Sequence, residues 1–144
     1  MFTYFNPRRA DLFATKFAHQ IIDIKRGRKT GPLEHGNLNS VRTIIDPMEA
    51  AECYWLASLH CNIGEVYNLG GSEHISIKGV LDELIKRAEV KIETRQSTAL
   101  MRPSDITYQI PDITKFKKAS GWVPKKSLQE SIDDFWKEVN RLYK

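Results

Sequence analysis

The stretch that most constrains this chain is Gly36-Asn37-Leu38-Asn39-Ser40-Val41-Arg42-Thr43-Ile44-Ile45-Asp46. A Gly-Asn turn leads into Val41–Ile45, which reads as a strand, and Pro47 then opens a helix predicted to run through Trp55. In the middle of that strand, among aliphatic neighbours, sits Arg42. Once buried, a guanidinium must have a partner, and its planar fork suits a phosphate or a carboxylate. The strand can equally turn Arg42 to water, because Val41 and Arg42 project to opposite sides. Local pattern leaves both readings open.

Around this centre, helical and strand patterns alternate. Phe2–Phe5 is aromatic and β-leaning and stops at Asn6-Pro7, as a strand would whose neighbours come from elsewhere. Asp11 is expected to cap a helix to about Ile24, with Phe13, Phe17, Ile21 and Ile24 on one face and Gly27 ending it. Asp46, Pro47 and Glu49 form a compact helix start, and Met48, Ala51, Trp55 and Leu59 are predicted as its buried stripe. Glu65–Leu69 reads as a short strand halted by Gly70-Gly71. Ser76 caps a further amphipathic helix carrying Ile77, Val80, Leu81, Leu84, Ile85 and Ala88. Lys91–Gln96 and Ile106–Ile110 alternate as strands, and Asp112 starts a short helix closed by Gly121. Ser127-Leu128-Gln129-Glu130 is a capping box for the last helix, whose core face is Leu128, Ile132, Phe135, Trp136, Val139 and Leu142. Such alternation argues an α/β or α+β architecture.

Length and charge bound what this pattern can be. At 144 residues with 41% hydrophobic content, one domain spanning 1–144 is expected. No apolar run reaches bilayer-crossing length, the opening residues lack a signal-peptide pattern, and two cysteines favour a reducing, cytoplasmic setting. The net charge of +4 suits a phosphate-bearing partner without choosing between polymer and small molecule. Its basic clusters, Lys25–Lys29 and Lys115–Lys126, read more simply as solvated helix ends. They lack interleaved aromatics or a module pattern, so nucleic-acid binding ranks last, and no membrane partner is expected.

Most chemical motifs are missing. His19, His35, His60 and His74 have no ligand spacing, so no metal site is expected. No G-x-S-x-G elbow, Walker loop or G-x-G-x-x-G is completed. One constellation remains, Met101-Arg102-Pro103-Ser104-Asp105. Pro103 holds Arg102 extended, and Asp105 can accept hydrogen bonds. An arginine for a diphosphate with an acid for ribose hydroxyls is one reading, and a turn salt bridge between the two is the simpler one.

Taken together these residues resemble the C-terminal half of the extended short-chain dehydrogenases that act on nucleotide sugars. The nearest branch is that of GDP-mannose 4,6-dehydratase and GDP-4-keto-6-deoxy-D-mannose reductase. The resemblance runs through Pro7-Arg8-Arg9, Gly36-Asn37-Leu38, Arg42, Asp46, Tyr54-Trp55 and Glu65-Val66-Tyr67-Asn68. It continues through Arg102-Pro103, Asp112, Lys115, Gly121-Trp122, Pro124 and Ser127-Leu128. It implies an α/β fold, the substrate-binding part of a Rossmann-type enzyme, with short strands alternating with about five helices and the N-terminal Rossmann core absent. It implies further that Arg42 and Arg102 hold the diphosphate or ribose region, Asp105 the ribose hydroxyls, and Asn37 the neighbourhood of the base.

Thr3 and Phe17 stand where the dehydratases tend to have asparagine and lysine, which tilts the comparison to the reductase. Ala10 and Pro47 depart from the family pattern. Neither a glycine-rich fingerprint nor a Tyr-x-x-x-Lys is present, so no catalytic residue is assigned. NADP(H) or NAD(H) is then implied for an intact enzyme and not for this chain. The expected partners are a nucleotide sugar, GDP-linked by resemblance, and either a Rossmann-half chain or a second copy. The alternative is a non-catalytic binding or assembly module that keeps the fold.

Overall fold

The computed structural model describes residues 3–101 and 104–144. Its elements are β1 (Thr3–Tyr4), α1 (Phe13–Lys25), β2 (Leu33–His35), β3 (Val41–Ile45), α2 (Pro47–His60), β4 (His74–Ser76), α3 (Ile77–Ala88), β5 (Thr94–Gln96), β6 (Tyr108–Gln109), α4 (Thr114–Ser120) and α5 (Leu128–Leu142). β3 is the hub. It pairs in parallel with β1 at Ile44 and Ile45 and with β6 at Val41 and Arg42, and antiparallel with β4. β2 and β5 form a separate parallel pair.

Because strand side chains alternate, consecutive residues of β3 serve different cores. Ile44 belongs to the larger cluster, with Phe17, Ile21 and Ile22 of α1, Val80, Leu81 and Leu84 of α3, and Ile132, Phe135 and Val139 of α5. Ile45 belongs to a second, with Ala50 and Cys53 of α2, Leu69, Phe116 and Trp122. Phe5 ties β1 to the first by stacking on Phe135 at 4.8 Å.

Several predicted starts and stops are observed. Ser76 Oγ accepts the Gly79 amide, Gly121 closes α4 with φ 71°, and Ser127 with Glu130 forms the capping box. Others differ. α1 starts at Phe13 without a side-chain cap. Asp11 is taken instead by the Arg9 guanidinium at 2.8 and 2.5 Å, a charge-assisted pair that outcompetes a backbone amide. Glu65–Leu69 forms no strand, because none of the described residues offers it a ladder partner and β propensity alone pairs nothing. Of Ile106–Ile110 only Tyr108–Gln109 is strand.

The stripe predicted as buried on α2 lies in water. Met48, Trp55 and Leu59 are 76%, 66% and 57% exposed, while Glu49, Ala50 and Cys53 face inward. The reason is partly polar. Glu49 does not close a box at its own helix start; its Oε1 accepts the backbone amides of Lys125 and Lys126 at 2.6 and 3.0 Å. That tie acts together with Ala50, Cys53, Leu56 and Ala57, which pack on Ile45, Leu69, Phe116 and Trp122 and leave the Met48–Leu59 stripe outward. Among the described residues no helix is long and apolar enough to cross a membrane.

Candidate functional site

A cleft of about 330 Å³ opens where β1, β3, α1 and the Gly36 turn meet. Its polar end is built on β3. The turn Asn37–Ser40 is fixed by the Asn39 amide, which donates to Asn37 Oδ1 at 2.9 Å. The Asn37 amide group and the Ser40 hydroxyl then each donate to Asp105 Oδ2 at 2.9 Å. Arg42, its side chain only 13% exposed, reaches Asp105 Oδ1 at 3.5 Å and donates to the Val41 carbonyl at 2.9 Å.

Arg42 is therefore neither idle in solvent nor clamped. Its contact to Asp105 is long, and among the described residues no carboxylate closes the fork bidentately. Burial pushes the Asp105 carboxyl up, but hydrogen bonds from Ser40 and Asn37 and the Arg42 charge outweigh it and hold the group below the ordinary aspartate range. A carboxyl held lower in the folded chain adds stability at pH values above its unfolded pKa. That contribution is lost as pH falls through the lower folded value. In urea titrations between neutral pH and about pH 3, the wild type is expected to lose more stability than Asp105→Asn. Equal acid sensitivity would show that Asp105 has no depressed folded value.

The remaining walls come from α1 and β1. Phe13, Lys16, Phe17 and Gln20 line the cleft from α1, and Thr3 from β1, its hydroxyl donating to Gln109 Oε1 at 3.3 Å. Gln20 pins β2 at the far end, donating to the Glu34 carbonyl and accepting the Glu34 amide, both at 3.0 Å. Thr3, Asn37, Arg42 and Asp105 thus converge on one cleft, whereas Arg102 lies outside the described residues. The carboxylate that meets Arg42 comes from 63 positions further along the chain, so the pairing is invisible to local pattern. Ser40 was missed in the same way; its only signal is a polar residue directly before the strand.

Several charges of the two basic clusters are spent internally. Lys25, Arg26 and Arg28 donate to the carbonyls of Ala88, Tyr143 and Lys144 at helix and chain ends. Lys115, Lys125 and Lys126 pair with Glu65, Glu52 and Asp46. The Cys53 thiol is pushed up to about 12 by burial and then by the neighbouring Glu52 and Glu49, which makes it a poor nucleophile.

Among the described residues the chain is a mixed α/β fold with five α-helices and mostly parallel strand pairing. The family model described as GDP-mannose 4,6 dehydratase matches residues 1–135, and the chain belongs to that family. It is similar to GDP-6-deoxy-D-mannose reductase of Pseudomonas aeruginosa, 25% identical over 132 residues, covering 91% of this chain and 43% of that protein. It is also similar to CDP-paratose 2-epimerase of Salmonella typhi, 27% identical over 124 residues, covering 83% of this chain and 36% of the other.

Among solved structures, RMD from Pseudomonas aeruginosa complexed with NADPH superposes with a TM-score of 0.85 at 22% identity, over 96% of this chain and 46% of that one. UDP-glucuronic acid 4-epimerase from Bacillus cereus, in complex with UDP-glucuronic acid and NAD, gives a TM-score of 0.84 at 23% identity, over 99% and 44%. The chain thus spans less than half the length of these relatives.

Proposed function

We propose that residues 1–144 form a single nucleotide-sugar-binding unit, the substrate half of an NAD(P)-dependent enzyme of this family. The observation that supports it is the convergence of Thr3, Asn37, Arg42 and Asp105 on one cleft of about 330 Å³, a size suited to a small ligand. Arg42 is the group for the diphosphate, since a largely buried guanidinium with a loose internal partner exchanges a 3.5 Å carboxylate contact for a closer, forked one to phosphate. Asp105 accepts from ribose hydroxyls, Asn37 faces the nucleoside, and Thr3 reaches the sugar end. By resemblance to the family, Arg102 is assigned to the diphosphate or ribose region as well. GDP is the nucleotide favoured by the family, and Thr3 with Phe17 favours the reductase branch.

Hydride transfer is assigned elsewhere. The sequence lacks a dinucleotide fingerprint and a Tyr-x-x-x-Lys, so its residues do not fit NAD(P)H, and no catalytic step is derived through it. The cofactor and proton donor then belong to the part of the relatives that this chain does not span.

Calorimetric titration with GDP and UDP tests the binding half of the reading, with saturable GDP binding and a raised melting temperature expected. Failure of both nucleotides to bind would favour the alternative of an assembly module without a nucleotide site. Incubation with NADPH and a GDP-4-keto-6-deoxy sugar is expected to give no turnover, and measurable oxidation of NADPH would overturn the assignment of chemistry to another segment.

A further inference from the structure

Phe13, Lys16, Phe17 and Gln20 recur at helical spacing on one face of α1, and all four line the cleft. Lys16 is the exposed one among them. Its neighbour Thr15 fixes this turn over the end of β1, the hydroxyl donating to the Asn6 carbonyl at 2.8 Å. Helix side chains tilt toward the N-terminus, so the Lys16 ammonium leans to the end of the cleft where α1 meets β1, away from Gln20 and β2. The charge pattern agrees. The Asp11 carboxyl is held below the ordinary aspartate range by its hydrogen bond from Arg9 and, more weakly, by the Lys16 charge.

The other ionised side chains along the cleft are already paired. Asp11 holds the Arg9 guanidinium at 2.8 and 2.5 Å, Glu34 takes Arg95 at 2.7 Å, and Arg42 faces Asp105 at 3.5 Å. Lys16 differs. Among the described residues its ammonium makes no hydrogen bond and no ion pair.

We infer that Lys16 is the contact for the second, sugar-side phosphate of a nucleoside diphosphate, leaving the first to Arg42. This role rests on the nucleotide-sugar reading of the cleft. Both phosphates of such a ligand carry charge, whereas Arg42 comes with a counter-ion in Asp105, and that pair adds little net charge of its own. A planar guanidinium grips one phosphate with its fork. An ammonium on a flexible stem then meets the other as a point charge. The order along the cleft fits: Asn37, Ser40 and Asp105 gather around Arg42, and Thr3 pairs with Ile44 two residues further along β3, on the side to which Lys16 leans. Phe13 and Phe17, edge to face at 5.9 Å, give that side apolar walls. Against such walls, a charge covered by ligand is screened less than in open water.

Titration calorimetry of GDP and GMP against wild type and Lys16→Gln tests this, since the two ligands differ only in the second phosphate. Wild type is expected to bind GDP more tightly than GMP. Lys16→Gln is expected to weaken GDP about tenfold and GMP less than about twofold. Lys16 is exposed and glutamine is a good helix former, so far-UV circular dichroism should be unchanged, and GMP binding reports that the cleft is intact. Equal losses for the two nucleotides, or no loss for either, would overturn the role of Lys16 while leaving a nucleotide cleft in place. Wild type that binds neither nucleotide would remove the nucleotide reading itself, and this contact with it.

Discussion

Arg42→Ala is expected to weaken GDP binding about 10- to 100-fold, because charge-assisted hydrogen bonds to phosphate contribute about 1.5–3 kcal/mol. The loss should be specific to the ligand. Asp105 keeps its donors from Asn37 and Ser40 after the guanidinium is gone, so the turn that shapes the cleft retains two of its ties. Arg42→Lys is the informative companion. It keeps the positive charge but not the fork, and an intermediate loss would show that geometry contributes as well as charge. Thr3→Val, removing one neutral hydroxyl, should cost less, about 1 kcal/mol. Calorimetry on the four proteins checks the series. Arg42→Ala binding GDP as tightly as wild type would remove the diphosphate from this part of the cleft.

Gly71→Ala should destabilise the chain by about 3 kcal/mol, near the upper end of what one added methyl costs in a packed interior. A Cβ at Gly71 would stand 2.0 Å from the Ile44 carbonyl oxygen and 2.9 Å from its carbon. Both are backbone atoms of β3, which cannot rotate aside as a side chain can. Relief requires moving the strand whose Ile44 and Ile45 anchor the two cores, and Arg42 lies two residues away on the same strand. Gly121→Ala is the contrasting case. Its φ of 71° disfavours a Cβ but nothing lies within 4 Å, so the cost should stay at about 1 kcal/mol. Urea denaturation of both variants separates crowding from backbone preference. Equal costs for the two would mean that the Gly71 approach relaxes freely.

Much of this fold is legible one segment at a time. The Ser127–Glu130 capping box, the Ser76 cap and the apolar faces of α3 and α5 depend on residues three or four apart, and each forms where the pattern places it. β3 is legible for the same reason. The predictions that failed needed information from far along the chain. Asp11 has the right chemistry for a cap, but the Arg9 guanidinium reaches it first. Glu65–Leu69 has strand composition without a strand beside it. α2 misleads most: it carries two apolar stripes, and the one with Ala50, Cys53, Leu56 and Ala57 turns inward, where it packs on Phe116 and Trp122 and Glu49 meets the Lys125 and Lys126 amides.

The candidate site divides the same way. Arg42 in an aliphatic strand and Asp105 after Arg102-Pro103 each stand out in the sequence, and their family resemblance pointed both at one nucleotide sugar. That they meet each other, with Asn37 and Ser40 holding the carboxylate between them, follows only from β3 lying beside β6 in parallel register. The sequence by itself determined which segments coil, where helices begin and which side chains could bind phosphate, because those properties are set within a few residues. Only the tertiary structure decided which polar groups satisfy one another and which apolar face is left in water. Burying a charge or an amide requires a particular partner, and that partner lies dozens of residues away.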